Sequence, residues 1–240
     1  MKRIFILAVA LWGAAVYNVY SQTPQNYVED ASCDLRMKMV YVEGRPSRYG
    51  DDKKAINSFY IAETELTQYQ WMQIMGGESS GQEDLSHPKS GMAYEEALAF
   101  CKKLSLMTGR NYRLPTEDEW WYAFSGGNKS KRYYYSGSHK RRLVAWFKRN
   151  SGWSTHSVGV KMPNELGLYD MSGNVAEMCL GARTTRKKDS YSYRYSDVKY
   201  EECIKAMGGD CRSYPWDLND SDTYSVKGSW LCGFRVVCIP

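Results

Sequence analysis

Two carboxylates, Asp170 and Glu177, stand on either side of a turn that contains Gly173. A turn of this kind can aim backbone carbonyl oxygens inward while the two acids supply negative charge. Such a set of oxygen ligands suits a hard cation such as calcium. The alternative is a turn held by hydrogen bonds alone, and these residues leave both interpretations open.

Sulfur chemistry is harder to build from this sequence. The chain has seven cysteines and three histidines but no Cys-x-x-Cys pair, so a zinc site or a histidine-rich iron site is not indicated. The odd number of cysteines leaves at least one thiol unpaired, and in an exported chain the others are expected to form disulfides, chiefly in the C-terminal part. The cysteines are Cys33, Cys101, Cys179, Cys203, Cys211, Cys232 and Cys238. No glycine-rich phosphate loop, Ser/His/Asp signature or His-Glu-x-x-His motif is present.

A second group of candidate residues follows Gly208-Gly209, where Arg212, Tyr214, Trp216 and Asn219 stand close together. Tyrosine and tryptophan supply rigid amphipathic contact area, and serine, asparagine and aspartate supply adaptable hydrogen bonds. This composition predicts a surface that binds an exported protein or a glycan, although a packed set of loops has a similar composition. The basic runs at residues 140–142 and 183–188 are interpreted as solvated loops, so no nucleic-acid partner is predicted.

The N-terminus has the pattern of an export signal. Lys2 and Arg3 precede an apolar run over residues 4–16, and Val19 and Ser21 are placed for cleavage before Gln22. The run is shorter than the ~20 residues that span a bilayer, and no later segment is apolar enough to do so. We therefore predict a signal peptide at residues 1–21, no stable membrane span after its removal, and a periplasmic, outer-envelope or extracellular protein.

The elements that must position these residues form a single predicted domain at 37–240, after a lead-in at 22–36. Alternating and β-branched residues predict strands over 38–43 and 59–62. Apolar residues at helical spacing predict helices over 67–75 and 94–107, the second ended by Gly109, and Thr116 with Glu119 predicts the start of a third. Beyond Tyr112 the chain is rich in Gly, Ser, Asn, Tyr and Trp, which predicts mostly irregular backbone.

Three segments in this order carry a resemblance to a known family: Arg113-Leu-Pro-Thr-Glu-Asp-Glu-Trp120, Gly167-Leu-Tyr-Asp-Met-Ser-Gly-Asn-Val-Ala-Glu177 and Gly233-Phe-Arg-Val-Val237. Together with Gly208-Gly209 they resemble the formylglycine-generating enzymes, or sulfatase-modifying factors, from Met37 to Val237. The resemblance implies a loop-rich α+β domain related to the C-type lectin fold. It also implies a structural calcium held by Asp170, the carbonyls of Gly173 and Val175, and Glu177. A second calcium site of the family is not expected, because Val144 replaces its asparagine ligand.

The resemblance also locates the family's catalytic residues, two cysteines that bind copper(I) after the Gly-Gly pair. Counting from Gly209 places Ser213 and Leu218 at these positions, and neither side chain is a suitable ligand for a soft ion. We therefore predict no copper and favour a non-catalytic exported module for binding or envelope structure. The alternative is a copper oxidase that uses Cys211 with Cys203 or Cys232 to convert a sulfatase cysteine to formylglycine. An altered, iron-dependent enzyme would need ligands that the sequence does not offer.

Overall fold

The computed structural model describes residues 24–31, 33–46, 55–77, 84–186, 198–219, 221–222 and 231–240. The predicted signal peptide at residues 1–21 lies outside these ranges. No helix in the described ranges is both long and apolar enough to cross a membrane. The strands are β1 (Tyr27–Glu29), β2 (Met37–Val42), β3 (Phe59–Ala62), β4 (Asn111–Arg113), β5 (Ala145–Trp146), β6 (Ser172–Gly173), β7 (Ala176–Arg186), β8 (Val198–Met207), β9 (Ser221–Asp222), β10 (Cys232–Gly233) and β11 (Val237–Ile239). The helices are α1 (Gln68–Met75), α2 (Tyr94–Thr108), α3 (Glu117–Phe124) and α4 (Arg141–Val144).

The first sheet has five antiparallel strands in the order β1-β2-β3-β11-β4, so it joins the two ends of the domain. Strand β1 pairs Tyr27 with Met39 and Glu29 with Met37. The buried Glu29 accepts a hydrogen bond from the Tyr112 hydroxyl at 2.7 Å. Residues 27–29 therefore pair with the first sheet, and the domain boundary at residue 37 stays a prediction.

A long hairpin is the feature that the sequence did not indicate. Strands β7 and β8 pair from Glu177 opposite Met207 to Arg186 opposite Val198, within a four-stranded sheet in the order β10-β7-β8-β9. The basic run at 183–188 begins inside β7 and continues beyond the described residues. Its interpretation as a loop was wrong for residues 183–186, because cross-strand pairing outweighs the charged residues' weak β-propensity.

The helices begin and end where their sequence signals predict. Thr67 and Thr116 accept hydrogen bonds from the amides of Gln70 and Glu119, and both helices, α1 and α3, have complete capping boxes. Gly109 ends α2 in the left-handed conformation with φ 70°. These local contacts satisfy amide groups that the first helical turn leaves without partners.

Successive side chains of a strand point to opposite faces of the first sheet, and a hydrophobic core covers each face. Met37 and Met39 face a core that includes Phe100 and Leu104 of α2. Val40 and Val42 face a second core that includes Trp120 of α3. The two cores fix α3 and the base of the β7–β8 hairpin beside the loops that contain the candidate site.

Candidate functional site

The two positions expected to carry catalytic cysteines have structural roles instead. The Ser213 hydroxyl donates to Asp210 Oδ1 at 3.0 Å and accepts from the Asp210 amide at 2.9 Å. Leu218 is fully buried in an apolar cluster with Tyr135, Val144 and Phe147. One position therefore closes a turn and the other packs in a core, so neither supplies a thiolate.

Cys211 is poorly suited to act as a relocated catalytic thiol. Its side chain is fully buried, and burial raises the pKa of the thiol to about 11. Burial likewise raises the thiol pKa of Cys232 to about 12. Within the described ranges, no three cysteine, histidine or acidic side chains converge on a point that could hold a metal ion. The Cys203 side chain is not among the side chains that the structure describes.

The described cysteines also give no support to the predicted disulfides. All six carry free thiols in the structure: Cys33, Cys101, Cys179, Cys211, Cys232 and Cys238. Five of these six are buried, and four of them, all but Cys211, pack in the two cores as small apolar side chains. Disulfide formation in the C-terminal part remains a prediction.

The turn at residues 170–177 brings its two acids into one buried network but gives them different partners. Both Glu177 oxygens accept from Arg235, at 2.7 Å each, and Oε2 also accepts from Trp120 Nε1 at 2.7 Å. Arg235 and Glu177 are completely enclosed, with 0% and 1% of their side chains exposed. Three donors thus occupy Glu177, and its role as a calcium ligand stays a prediction.

Asp170 has the spare oxygen that Glu177 lacks. Its Oδ2 accepts from the Gly159 amide at 2.7 Å, whereas its buried Oδ1 has no partner. Burial raises the pKa of this carboxyl to about 6. An ion here would find an unpartnered oxygen at Asp170, and the calcium ligand set of Asp170, Gly173, Val175 and Glu177 stays a prediction.

A third buried acid, Glu65, joins this network from a position that sequence reasoning missed. Its carboxylate accepts from the Val175 amide at 2.9 Å and from the Asn174 side chain at 2.6 Å. Burial, followed by the charges of Asp170 and Glu177, raises the Glu65 pKa well above its usual value. Three enclosed acids therefore surround one enclosed arginine. Glu65 and Asn174 are more than 100 residues apart in the chain and meet only in the folded protein. No local sequence signal therefore marks Glu65 as a member of this network.

Asn174 connects this buried network to the loops at the surface. It has a left-handed φ of 64°, a conformation that asparagine tolerates better than most residues. Its side chain bonds the backbone amide and carbonyl of His156 at 2.9 and 3.1 Å. Its carbonyl accepts from the Cys211 amide at 3.0 Å. One asparagine of the 167–177 segment thus holds both loops that form the surface described next.

The predicted binding residues Arg212, Tyr214 and Trp216 lie in an exposed cluster that also includes Lys148 and Trp153. We call these five residues the aromatic surface. The Tyr214 and Trp216 rings are parallel within 4°, with centroids 4.8 Å apart. The Lys148 ammonium lies 3.8 Å from the Tyr214 ring centroid and 4.8 Å from that of Trp153. Trp216 is 61% exposed and Trp153 54%, unusual values for such large apolar side chains.

The backbone presents Trp153 at a conformational cost. Gly152 and Trp153 both have left-handed φ, at 62° and 67°, and a bulky residue rarely occupies this region. The Ser151 hydroxyl stabilises the turn, since it accepts from the Trp153 amide at 3.1 Å and donates to the Cys211 carbonyl. Arg212 Nε also donates to the Trp153 carbonyl at 3.3 Å. These bonds tie the two loops together. Asn219, the fourth predicted binding residue, ends the next turn and is half-buried.

Comparison with known proteins supports the family resemblance. Residues 27–238 match the model of the sulfatase-modifying factor enzyme 1-like domain. The chain is 32% identical to "Chaperone protein LppX" of Paenibacillus barcinonensis, over 73% of this chain and 79% of that protein. It is also 32% identical to "Inactive C-alpha-formylglycine-generating enzyme 2" of Bos taurus, over 45% of this chain but only 37% of that protein.

Solved structures share the fold. "Treponema denticola variable protein 1" superposes with a TM-score of 0.71 at 23% identity, covering 91% of this chain and all of that one. PvdO from Pseudomonas aeruginosa has a TM-score of 0.62 at 21% identity, covering 92% of this chain and 100% of the other. The predicted fold class, a loop-rich α+β domain related to the C-type lectin fold, is confirmed. The chain belongs to the sulfatase-modifying factor enzyme 1-like domain family and lacks that family's aligned catalytic cysteine pair.

Proposed function

We propose that this protein is an exported, non-catalytic member of its family that binds a partner through the aromatic surface. The observation that carries the proposal is the fate of the two catalytic positions. Ser213 is engaged in its own turn and Leu218 is part of an apolar core, while the residues between and beside them expose tryptophan, tyrosine and arginine. The same scaffold that positions chemistry in an active relative would here position a contact surface.

Two relatives support the proposal, the first its non-catalytic part and the second its binding part. One is named as an inactive formylglycine-generating enzyme, and a second, which matches over most of its length, is named as a chaperone. Trp, Tyr and Arg are also the residues enriched where protein interfaces gain most of their binding energy. A protein ligand is therefore favoured over a glycan.

Calcium belongs to this proposal as a structural ion beside Asp170. The enclosed carboxylates outnumber the enclosed cations, and the unpartnered Asp170 Oδ1 offers a hard oxygen ligand. Thermal unfolding in calcium and in excess EGTA tests this for the wild type and for Asp170→Asn. We expect calcium to raise the Tm of the wild type only. An equal rise in both proteins would place the ion elsewhere.

The decisive experiment on catalysis uses a Cys-x-Pro-x-Arg peptide with copper(I), oxygen and a mild reductant, beside an active family enzyme. Mass spectrometry should show unchanged peptide with this protein and formylglycine with the control. Formylglycine that forms here and disappears in Cys211→Ala would establish the alternative, a copper oxidase with a relocated thiol. Cell fractionation of the full chain tests export, with a residue 1–21 deletion as the control.

A further inference from the structure

We propose that the partner segment recognised by the aromatic surface is an acidic peptide that also carries apolar or aromatic side chains. This inference rests on the proposed binding function and adds the chemistry of the ligand. It follows from how the charged and aromatic groups of the surface are partnered, since the acids are hydrogen-bonded within their own loop and the cations have no acidic partner.

The acids of the 210–217 loop are occupied by its own backbone and side chains. Asp210 Oδ1 accepts from the Arg212 amide at 2.7 Å and from the Ser213 hydroxyl at 3.0 Å. Asp217 Oδ2 accepts from the Tyr214 amide at 2.8 Å. These are local turn contacts of the kind that short acidic side chains commonly make. The two carboxylates thus shape the loop, and neither forms an ion pair with a cation among the described residues.

The cations have no acidic partner of their own. Arg212 is exposed, and neither it nor Lys148 forms an ion pair with an acid among the described residues. A guanidinium group binds a carboxylate through two parallel hydrogen bonds. Positive groups that are held in place by neutral partners and paired with no acid favour an acidic ligand and increase its rate of association.

The aromatic rings require more than negative charge from the ligand. Lys148 contacts two of the rings, and Tyr214 stacks on Trp216, so the side chains are ordered before a ligand arrives. Ordered rings lose little conformational entropy on binding, and they gain most when apolar groups cover them. A purely charged chain would leave this area in water. A peptide that mixes glutamate with tyrosine satisfies both features.

The test measures binding of the mature protein to three polymers of matched length by biolayer interferometry: a glutamate–tyrosine copolymer, polyglutamate and polygalacturonate. We expect the copolymer to bind at least about tenfold more tightly than either of the others, because it alone supplies both contacts. Trp216→Ala and Trp153→Ala should each weaken copolymer binding by about fivefold or more. Arg212→Ala should weaken binding and reduce its dependence on salt.

Tyr134→Ala and Lys102→Ala serve as matched controls, because both residues are exposed and lie outside the aromatic surface. Neither change should alter binding. Equal affinity for polyglutamate and the copolymer, unaffected by Trp216→Ala, would show that charge alone attracts the ligand and would overturn the inference. Preferential binding of polygalacturonate would assign a saccharide ligand, and absence of copolymer binding at millimolar concentration would also refute the peptide. These outcomes leave the non-catalytic assignment intact, since only formylglycine production contradicts that.

Discussion

Replacing Arg235 with methionine should destabilise this domain more than any comparable surface change. The guanidinium group makes two 2.7 Å bonds to Glu177 and further bonds to the carbonyls of Ala62, Glu63 and Tyr169. Both charged groups are enclosed, so methionine would leave an uncompensated carboxylate in a place that water does not reach. Breaking a buried pair by removing one partner costs about 3 to 5 kcal/mol. We therefore expect a loss of about 4 kcal/mol in the free energy of unfolding.

The assay is urea unfolding of four proteins followed by tryptophan fluorescence: wild type, Arg235→Met, Glu177→Gln and the double variant. The double variant should cost no more than Arg235→Met alone, because the second change removes the stranded charge. The coupling energy between the two sites should then be about 2 to 3 kcal/mol. Arg36→Met is the control, since its pair with Asp34 is exposed, and it should leave stability unchanged.

Two results would refute this reasoning. One is a loss of less than about 1 kcal/mol for Arg235→Met, which would mean that Glu177 finds another partner or is neutral. The other is strict additivity in the double variant, which would mean that the two side chains act independently. In thermal unfolding, the expected loss corresponds to a fall in Tm of about 8 to 16 °C for a domain of this size.

Three further outcomes are expected. Leu218→Ala should reduce the unfolding free energy by about 3 kcal/mol in a denaturant titration, because it opens a cavity between Tyr135 and Phe147. A loss below about 1 kcal/mol would contradict the core position of Leu218. Burial alone would raise the pKa of Glu119, but Arg113 and the Thr116 amide together lower it. The ionised carboxylate therefore stabilises the fold above the unfolded-state pKa, and this contribution disappears as the pH falls through the folded-state pKa. Glu119→Gln should accordingly lower the Tm at pH 7, and the difference from the wild type should shrink as the pH falls through the folded-state pKa of Glu119. A pH-independent difference would exclude the ionic cause. Asn174→Gly keeps the left-handed backbone but removes the side-chain hydrogen bonds to Glu65 and His156. Amide hydrogen exchange should therefore accelerate in residues 151–158. Unchanged protection there would show that Asn174 does not hold the loop.

Local signals account for most of the sequence predictions that the structure confirmed. Capping boxes at Thr67 and Thr116, and the glycine that ends α2, specify helix ends through contacts within one turn. Strands β2 and β3 follow from their alternation and β-branched residues. The motif order identified the family, and counting from Gly209 identified the missing cysteines. Such features are readable because each depends on residues only a few positions apart.

The tertiary structure decided the rest, because the remaining interactions join residues that are distant in the chain. The β7–β8 hairpin depends on cross-strand pairing over ten residue pairs, and the edge strand β1 depends on its contact with β2 and Tyr112. The sequence analysis predicted Glu177 as a calcium ligand, but only the tertiary structure showed that Arg235 and Trp120 donate to its oxygens. Trp153 and Lys148 join the aromatic surface from about 60 residues away, through loops that Asn174 and Ser151 hold together. The sequence by itself determined the family and the loss of its catalytic pair. Only the packing of separate loops determined which side chains are enclosed with a partner and which are exposed for binding.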